Sequence, residues 1–162
     1  MKKDSQNKMF DFFDKNGIEN FIGVPDSTMK HFINQGIQKK KITIATREEE
    51  AIGIATGMIL AKSPTIVFMQ NAGFGNSIST ITSLVQMYKI PIIFIIGWRG
   101  YLTTDAPEHV KLGKIQPEII KSLGLKSKIL SDSNWKKMCV WALNQQKKGN
   151  TCSFIIKREF HD

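Results

Sequence analysis

The strongest constraint on the fold is an unbroken apolar stretch at residues 91–96, in a chain whose segments alternate between strand and helix patterns. A strand that is apolar at every position is typical of a parallel sheet that is buried on both faces. Strands that alternate with helices predict such a sheet, with a helical layer on each side. We therefore expect an α/β fold, built as a single three-layer α/β/α domain (residues 1–162) with a mostly parallel six-stranded sheet.

The order of the predicted elements locates the functional loops. The predicted strands cover residues 20–24, 42–45, 65–69, 91–96, 126–130 and 152–156. The predicted helices cover residues 4–16, 27–39, 48–62, 76–88, 116–123 and 135–146, and a polar loop covers residues 99–115. Ligands of such sheets bind beyond the carboxyl ends of the strands. The loops expected to carry the site are therefore residues 24–28, 45–50, 69–76 and 97–109.

Composition excludes several classes of protein. Apolar residues are 41% of the 162 residues, enough for a buried core. The longest apolar run, residues 90–98, is far shorter than the about 20 residues of a spanning helix, so we expect no transmembrane segment. Residues 1–7 (MKKDSQN) lead into no apolar signal region. Cys139 and Cys152 form neither a disulfide framework nor a metal-ligand pattern, and a cytoplasmic location is the simplest expectation.

The formal net charge of +9 is concentrated in the last third of the chain. Residues 1–110 carry a net charge of +2, whereas residues 111–162 carry +7. This excess is compatible with nucleic acid, with an acidic substrate or partner subunit, or with a lysine-rich solvated surface. No helix-turn-helix, zinc-finger or aromatic-plus-basic pattern supports the first explanation, so we expect no nucleic-acid partner.

Three carboxylates stand at the start of a predicted helix, at residues 48–50. Acidic residues are favoured there by the helix dipole, and Thr46 and Glu49 have the spacing of a capping box. Glu48 differs because it heads an apolar stripe on one helical face. The members of that stripe are Ala51, Ile52, Ala55 and Ile59. The helix carries no charge at residues 51–61, which predicts burial on all sides and a subunit interface.

The other candidate loops carry weaker signals. Residues 69–76 (MQNAGFGN) contain Gly73 and Gly75, which allow close approach of a ligand to the backbone but also suit a tight turn. A dinucleotide fingerprint is excluded, since Ile78 stands where its third glycine is due. Asp26 is a good N-cap after the first strand. His109, with Arg99 in the same polar loop, has the chemistry of a proton carrier, although a lone histidine is more often structural.

Taken together, these loops resemble the pyrimidine-binding domain of thiamine-diphosphate-dependent decarboxylases, in particular those acting on phosphonopyruvate and, through an alpha subunit, on sulfopyruvate. The resemblance rests on five stretches found in the same order along the chain. They are residues 23–27 (GVPDS), 46–51 (TREEEA), 69–76 (MQNAGFGN), 97–100 (GWRG) and 105–109 (DAPEH).

The resemblance implies a role for each candidate residue. A glutamate nine residues before a helix glycine, here Glu48 before Gly57, is implied to hydrogen-bond the aminopyrimidine nitrogen of thiamine diphosphate and to promote proton removal from its thiazolium carbon. The implied catalytic residues are Glu48, Asp26 and His109. The implied cofactor contacts are Glu48, Gln70, Asn71, Gly73 and Phe74. The implied substrate contacts are Ser27, Asn71 and Arg99, and no metal ligand is expected in this chain.

The chain departs from single-chain members of the family, because it contains no Gly-Asp-Gly motif of a diphosphate-binding domain. We therefore expect that domain, with its Mg²⁺, on a separate beta subunit, and we expect a heteromer. The resemblance favours slightly the conversion of phosphonopyruvate to phosphonoacetaldehyde and carbon dioxide. Sulfopyruvate decarboxylation to sulfoacetaldehyde is the alternative, and a non-catalytic thiamine-diphosphate-binding or regulatory subunit is a third, from a different class.

Overall fold

A six-stranded parallel sheet forms the centre of the computed structural model, which describes residues 1–102 and 104–157. The strand order is β2-β1-β3-β4-β6-β5, and all five pairings are parallel. The strands are β1 (Asn20–Gly23), β2 (Ile42–Ile44), β3 (Thr65–Gln70), β4 (Ile93–Trp98), β5 (Lys126–Leu130) and β6 (Cys152–Lys157). The expected six-stranded parallel sheet is confirmed within the described part of the chain.

Helices cover both faces of the sheet. The first face carries α1 (Lys3–Lys15), α2 (Lys30–Gln38) and α7 (Trp135–Lys147). The second face carries α3 (Glu48–Leu60), α4 (Asn71–Asn76), α5 (Ile78–Thr80) with the π-helical segment Ile81–Gln86, and α6 (Pro107–Ser122). A 3-10 turn, Ser27–Met29, joins β1 to α2. The three-layer α/β/α architecture agrees with the sequence prediction.

The two faces of the sheet bury different kinds of side chain. On the first face, the rings of Phe10 and Phe21 lie 4.3 Å apart, and Phe32 packs edge-on against Phe10 at 5.2 Å. The second core is largely aliphatic. Residues 93–96 of β4 are fully buried between the two layers, which explains why this strand is apolar at every position.

Three helices differ from the prediction. The predicted loop at residues 69–76 is largely helical, because α4 begins at Asn71. The polar loop predicted to reach residue 115 ends at Pro107, where α6 begins. A proline at the first helical position loses no hydrogen bond there and has a suitable φ, so Pro107 begins a helix that the pattern had placed later. The segment predicted as one helix at 27–39 is the 3-10 turn followed by α2.

None of the described helices has the length and hydropathy needed to cross a membrane. Cys139 and Cys152 are both buried and unpaired, as expected from the sequence. Burial raises the pKa of the Cys152 thiol to about 12, and it raises the pKa of Cys139 as well. Neither side chain is therefore a thiolate near neutral pH.

Candidate active site

The candidate site lies at the carboxyl ends of β1 and β3, where the chain reverses direction across the sheet. From β1 the chain moves outwards to β2, and it then returns to β3 on the other side of β1. Parallel sheets bind ligands at such switch points. Asp26 follows β1 and Gln70 ends β3, and Gln70 Nε2 donates to Asp26 Oδ1 at 3.4 Å. Two of the predicted site residues therefore meet across the switch point.

Asp26 does not cap the turn that follows it. It occupies the N-cap position of the 3-10 turn, but its side chain makes no capping hydrogen bond. The carboxylate is 5% exposed and accepts a hydrogen bond from Thr28 Oγ1. A Cβ at Gly97 of β4 would overlap both of these side chains. The glycine thus makes room for a buried carboxylate at the end of the sheet.

Gln6 supports this turn from the neighbouring helix α1. Its Nε2 donates to the carbonyl oxygens of Met1 at 2.9 Å and Thr28 at 3.2 Å. Its Oε1 accepts the backbone N–H groups of His31 at 3.1 Å and Phe32 at 3.2 Å. These N–H groups lie in the first turn of α2, where the helix itself supplies no acceptor. No local pattern indicated this role, because a glutamine on an amphipathic helix is typical of the surface.

Glu48 is the first residue of α3, on the opposite face of the sheet. The helical face that it heads is buried at Ala51, Ile52 and Ala55, as the stripe predicted. The predicted capping box between residues 46 and 49 is wrong, because the helix begins two residues after Thr46. It is Glu50 whose Oε2 accepts the backbone N–H of Thr46, at 2.7 Å.

The side chain of Glu48 lies against Gly73 of α4. A Cβ at Gly73 would overlap the Glu48 carboxylate and its Cγ, so only glycine permits this approach. Glu48 is half-buried, and among residues 1–102 and 104–157 no donor hydrogen-bonds to its carboxylate. The carboxylate therefore keeps its hydrogen-bonding capacity within the described part of the chain.

The outer face of α3 is not buried, contrary to the prediction of burial on all sides. Leu60 is 69% exposed, and Ile54 is half-buried. No atom lies within 4 Å of a Cβ built at Gly53 or at Gly57. The uncharged sequence of this helix thus produces one buried face and one open apolar face, and its burial in a subunit interface remains a prediction.

Asn71 ties the ends of β3 and β4 together. The residue is 2% exposed. Its Nδ2 donates to the Arg99 carbonyl at 2.9 Å, and its Oδ1 accepts the Arg99 N–H at 3.2 Å. The amide of Asn71 thus positions the backbone after β4, and the predicted contact of this residue with cofactor and substrate stays a prediction.

The guanidinium of Arg99 is paired within the chain. Its Nε and Nη2 donate to the two carboxylate oxygens of Asp105 at 3.1 and 2.9 Å. The backbone N–H groups of Gly100 and Ala106 also donate to this carboxylate. The hydrogen bonds from Arg99, and then those from the backbone, hold the pKa of Asp105 well below its ordinary value. Asp105 in turn raises the pKa of Arg99.

Only part of Arg99 is left for the predicted contact with a substrate anion. Its Nη1 lies 3.5 Å from the hydroxyl of Ser27, which is exposed. The edge formed by Nε and Nη2 is occupied by Asp105. The structure therefore brings Ser27 and Arg99 together, as predicted, but leaves one nitrogen edge facing the site.

Two predicted residues lie in settings that the sequence did not indicate. His109 is half-buried in the first turn of α6 rather than in a loop, and a Cβ at Gly100 (φ +72°) would overlap its carbonyl. Phe74 is 1% exposed and packs edge-on against Phe94 at 6.3 Å. Only its backbone is therefore left for the predicted cofactor contact. Thr103, part of the predicted loop, lies outside the described residues.

The family profile described as "Thiamine pyrophosphate enzyme, N-terminal TPP binding domain" matches residues 4–122. The sulfopyruvate decarboxylase subunit alpha of Methanococcus maripaludis is 38% identical over 66% of this chain and 65% of its own length. That of Methanocaldococcus jannaschii is 39% identical over 60% and 59%. The chain thus matches less than two thirds of the length of both relatives.

A more distant relative and a solved structure are also similar to this chain. The phosphonopyruvate decarboxylase of Streptomyces viridochromogenes is 29% identical over 72% of this chain and 30% of its own. The solved structure of the thiamine diphosphate-dependent 4-hydroxybenzoylformate decarboxylase of Rhodococcus jostii superposes with a TM-score of 0.73. The superposition covers 98% of this chain and 34% of the Rhodococcus jostii chain, and the sequence identity is 13%. At this identity the similarity concerns the fold alone.

Proposed function

We infer the function from the premise that this chain belongs to the family of thiamine pyrophosphate enzymes, as an N-terminal TPP-binding domain. We propose that it is the alpha subunit of a thiamine-diphosphate-dependent 2-oxo acid decarboxylase. The observation that carries the proposal is the Glu48 carboxylate, which lies against Gly73 without a partner among the described residues. Bound thiamine diphosphate would supply the nucleophilic thiazolium carbon and the electron sink of the decarboxylation.

Glu48 has the geometry of a proton carrier for the cofactor's pyrimidine ring. A carboxylate that is half-buried and unpaired accepts an N–H or holds a proton at a ring nitrogen. Gly73 allows the Glu48 side chain to lie directly against α4, which fixes the position of the carboxylate. On the other face of the sheet, Gln70 contacts Asp26. We propose that these two residues line the substrate side, with His109 as a further proton carrier.

The substrate is proposed to be a 2-oxo acid with a second anionic group. Ser27 Oγ and Arg99 Nη1 would bind a sulfonate or phosphonate, since Asp105 orients the guanidinium towards the serine. The higher identity of the sulfopyruvate decarboxylase alpha subunits supports sulfopyruvate. The match to phosphonopyruvate decarboxylase over 72% of the chain supports phosphonopyruvate as the second candidate.

We propose further that a beta subunit supplies the diphosphate-binding domain and its Mg²⁺. Two relatives are themselves named as alpha subunits. The outer face of α3 also suits an interface, because Leu60 is exposed there and Gly53 and Gly57 leave room for close packing. Residues of the partner would complete the site beside Glu48.

The test is reconstitution of this chain with a candidate beta subunit, thiamine diphosphate and Mg²⁺. Carbon dioxide release from sulfopyruvate and from phosphonopyruvate is then measured. Glu48→Gln keeps the size of the side chain but removes its basicity, so it should lower turnover by about 10²–10⁴-fold. Glu49→Gln, the neighbouring carboxylate, is the matched control and should retain near-complete activity.

Each other outcome has a definite meaning. Full turnover by Glu48→Gln would refute the role of this carboxylate. A stable complex that binds the cofactor but decarboxylates neither substrate would favour a regulatory subunit over an enzyme. Release from one substrate alone, with both chains required, would establish the reaction and its substrate together.

A further inference from the structure

A cleft between α6 and the edge strand β5 contains buried polar atoms that lack a partner. Gln116 is 1% exposed, and in the described part of the chain neither its Nε2 nor its Oε1 makes a hydrogen bond. The hydroxyl of Ser127 in the cleft, and that of Ser153 on the neighbouring strand β6, are also buried without a partner among the described residues. Native proteins rarely leave such groups unpaired unless water or a ligand is bound.

Two of these residues share one cleft, and the third is their neighbour in the sheet. Gln116 and Ser127 line the same cleft. Ser127 on β5 pairs in register with Ser153 on β6, and paired residues of neighbouring strands point to the same face of the sheet. Ile129 and Ile155 form the next pair on that face and also line the cleft. A small polar patch thus lies on the floor of an apolar cleft.

The cleft has the size of a site for a small molecule. Its volume is about 210 Å³, below the about 300–1,000 Å³ typical of pockets for drug-sized ligands. Trp98, Pro117 and Ile120 supply apolar walls. Ile129 at the rim is 47% exposed, so the cleft opens to solvent. An occupant would therefore be a compact molecule with one polar edge.

Two nearby described cations contact aromatic rings. Lys128 belongs to the lining, but its Nζ lies 5.8 Å from the ring centroid of Trp141, which packs against the core of the opposite face. The Nζ of Lys157 lies 4.1 Å from the ring centroid of Tyr101, donates to its hydroxyl, and lies 5.7 Å from the ring centroid of Trp98. A charged ligand would lose its hydration without gaining a counter-charge, which favours an uncharged one.

We propose that this cleft binds a small uncharged amide or lactam, at a site separate from the candidate active site. An amide carries a donor and an acceptor on one edge, which complement Oε1 and Nε2 of Gln116. The hydroxyl of Ser127 supplies a third hydrogen bond. The apolar remainder of the ligand packs against Trp98 and Pro117.

The position of the cleft connects it with the loop after β4. Trp98 lies in its wall, and the Nε1 of this residue donates to the Gly113 carbonyl of α6 at 2.7 Å. A Cβ at Gly113 would overlap the backbone of Gly100, whose N–H donates to Asp105. A ligand that stabilises the packing of α6 on β4 therefore acts on the helix that packs against the loop containing the Arg99–Asp105 ion pair.

The test is an NMR titration of the full-length ¹⁵N-labelled chain with δ-valerolactam. We expect saturable shifts of the Trp98 indole N–H and of the Gln116 side-chain amide. Cyclohexanone retains the ring and the carbonyl but has no N–H. It should bind about tenfold more weakly, because it loses one hydrogen bond. The titration requires neither the partner subunit nor activity, so its result does not depend on the proposed function.

Variants make the result specific to the cleft. Gln116→Leu should abolish saturable binding, whereas Gln38→Leu, at an exposed position on the other face, should bind like the wild type. If Gln116→Leu fails to fold, Ser127→Ala should still weaken binding by about tenfold. Three results would overturn the proposal: equal binding of both probes, unchanged binding by Gln116→Leu and Ser127→Ala, or ordered waters that saturate all four atoms and persist at high lactam concentration.

Discussion

Two buried glutamines on opposite faces of the sheet have opposite surroundings. Gln6 on α1 is 3% exposed, and its amide takes part in four hydrogen bonds with backbone groups. Gln116 on α6 is 1% exposed, and its amide has no partner among the described residues. Burial is therefore nearly the same for the two side chains, and hydrogen bonding is what separates them.

The difference shows how a buried polar residue reveals its role. Gln6 joins α1, the turn after β1 and the start of α2, so its bonds belong to the fold. An unsatisfied buried polar group instead costs roughly 1–3 kcal/mol. Departures from good polar pairing occur mainly where function requires them. Gln116 is thus an unfavourable residue for the fold alone and a suitable one for a ligand site.

The largest expected change in stability comes from removing the hydrogen bonds of Gln6, the glutamine whose amide is fully paired. Gln6→Leu keeps the volume of the side chain but removes its hydrogen bonds with two backbone carbonyls and two backbone N–H groups. We expect the free energy of unfolding to fall by about 3 kcal/mol, because the loss of buried hydrogen bonds carries a desolvation cost. Urea unfolding at neutral pH measures this change.

Gln38→Leu is the control for the chemical change itself. Gln38 is exposed at the end of α2, so the same substitution there should change the unfolding free energy by at most about 0.5 kcal/mol. If Gln6→Leu were equally mild, water would be replacing the amide, and the contrast between the two buried glutamines would fail.

Local patterns identified most of the fold. The apolar stretch of β4 indicated a parallel sheet, and the strand predicted at residues 126–130 coincides with β5. The errors arose where tertiary contacts override local preference. Gly73 resembles a turn residue, yet it lies in α4, where the absence of a Cβ leaves room for the side chain of Glu48. Sequence periodicity carries no information about that contact.

The candidate site was predictable only where a residue stands out along the chain. Glu48 was identified by its position at the head of an apolar helical face, whereas the roles of Asp26 and Gln70 were predicted from the resemblance of their loops to a known family. Gln6 and the pairing of Arg99 with Asp105 were missed. The contacts of Gln6 depend on segments that the fold brings together, and the Arg99–Asp105 pair depends on the conformation of the loop between them, so no regular spacing indicates either.

The ion pair of Arg99 with Asp105 is also fully hydrogen-bonded, but unlike the amide of Gln6 it is ionised. Hydrogen bonds from Arg99 hold the pKa of Asp105 well below its ordinary value. A carboxyl with a depressed folded pKa contributes stability that is present above its unfolded pKa of about 3.9 and is lost as pH falls towards the folded value. We therefore expect Asp105→Asn to lower the unfolding free energy by about 2 kcal/mol at pH 7, and this deficit should narrow below about pH 4.

Urea unfolding of wild type and variant at a series of pH values measures this deficit. Gln6→Leu is the matched control, because no titratable group is altered and its deficit should change little across the same range. An Asp105→Asn deficit that stayed constant down to the lowest pH would mean that the carboxylate charge contributes nothing to stability. The ionised cluster would then be equivalent to the neutral one around Gln6.

The smallest expected change in stability is an increase, and it concerns Gln116, the glutamine without hydrogen bonds among the described residues. Gln116→Leu removes two unpaired polar atoms and retains the volume of the side chain, so the unfolding free energy should rise by about 1 kcal/mol. Adding δ-valerolactam should then stabilise the wild type against urea but not the variant, since only the wild type binds it. A loss of stability as large as that of Gln6→Leu would show that Gln116 is paired in solution, and the two glutamines would no longer be different in kind.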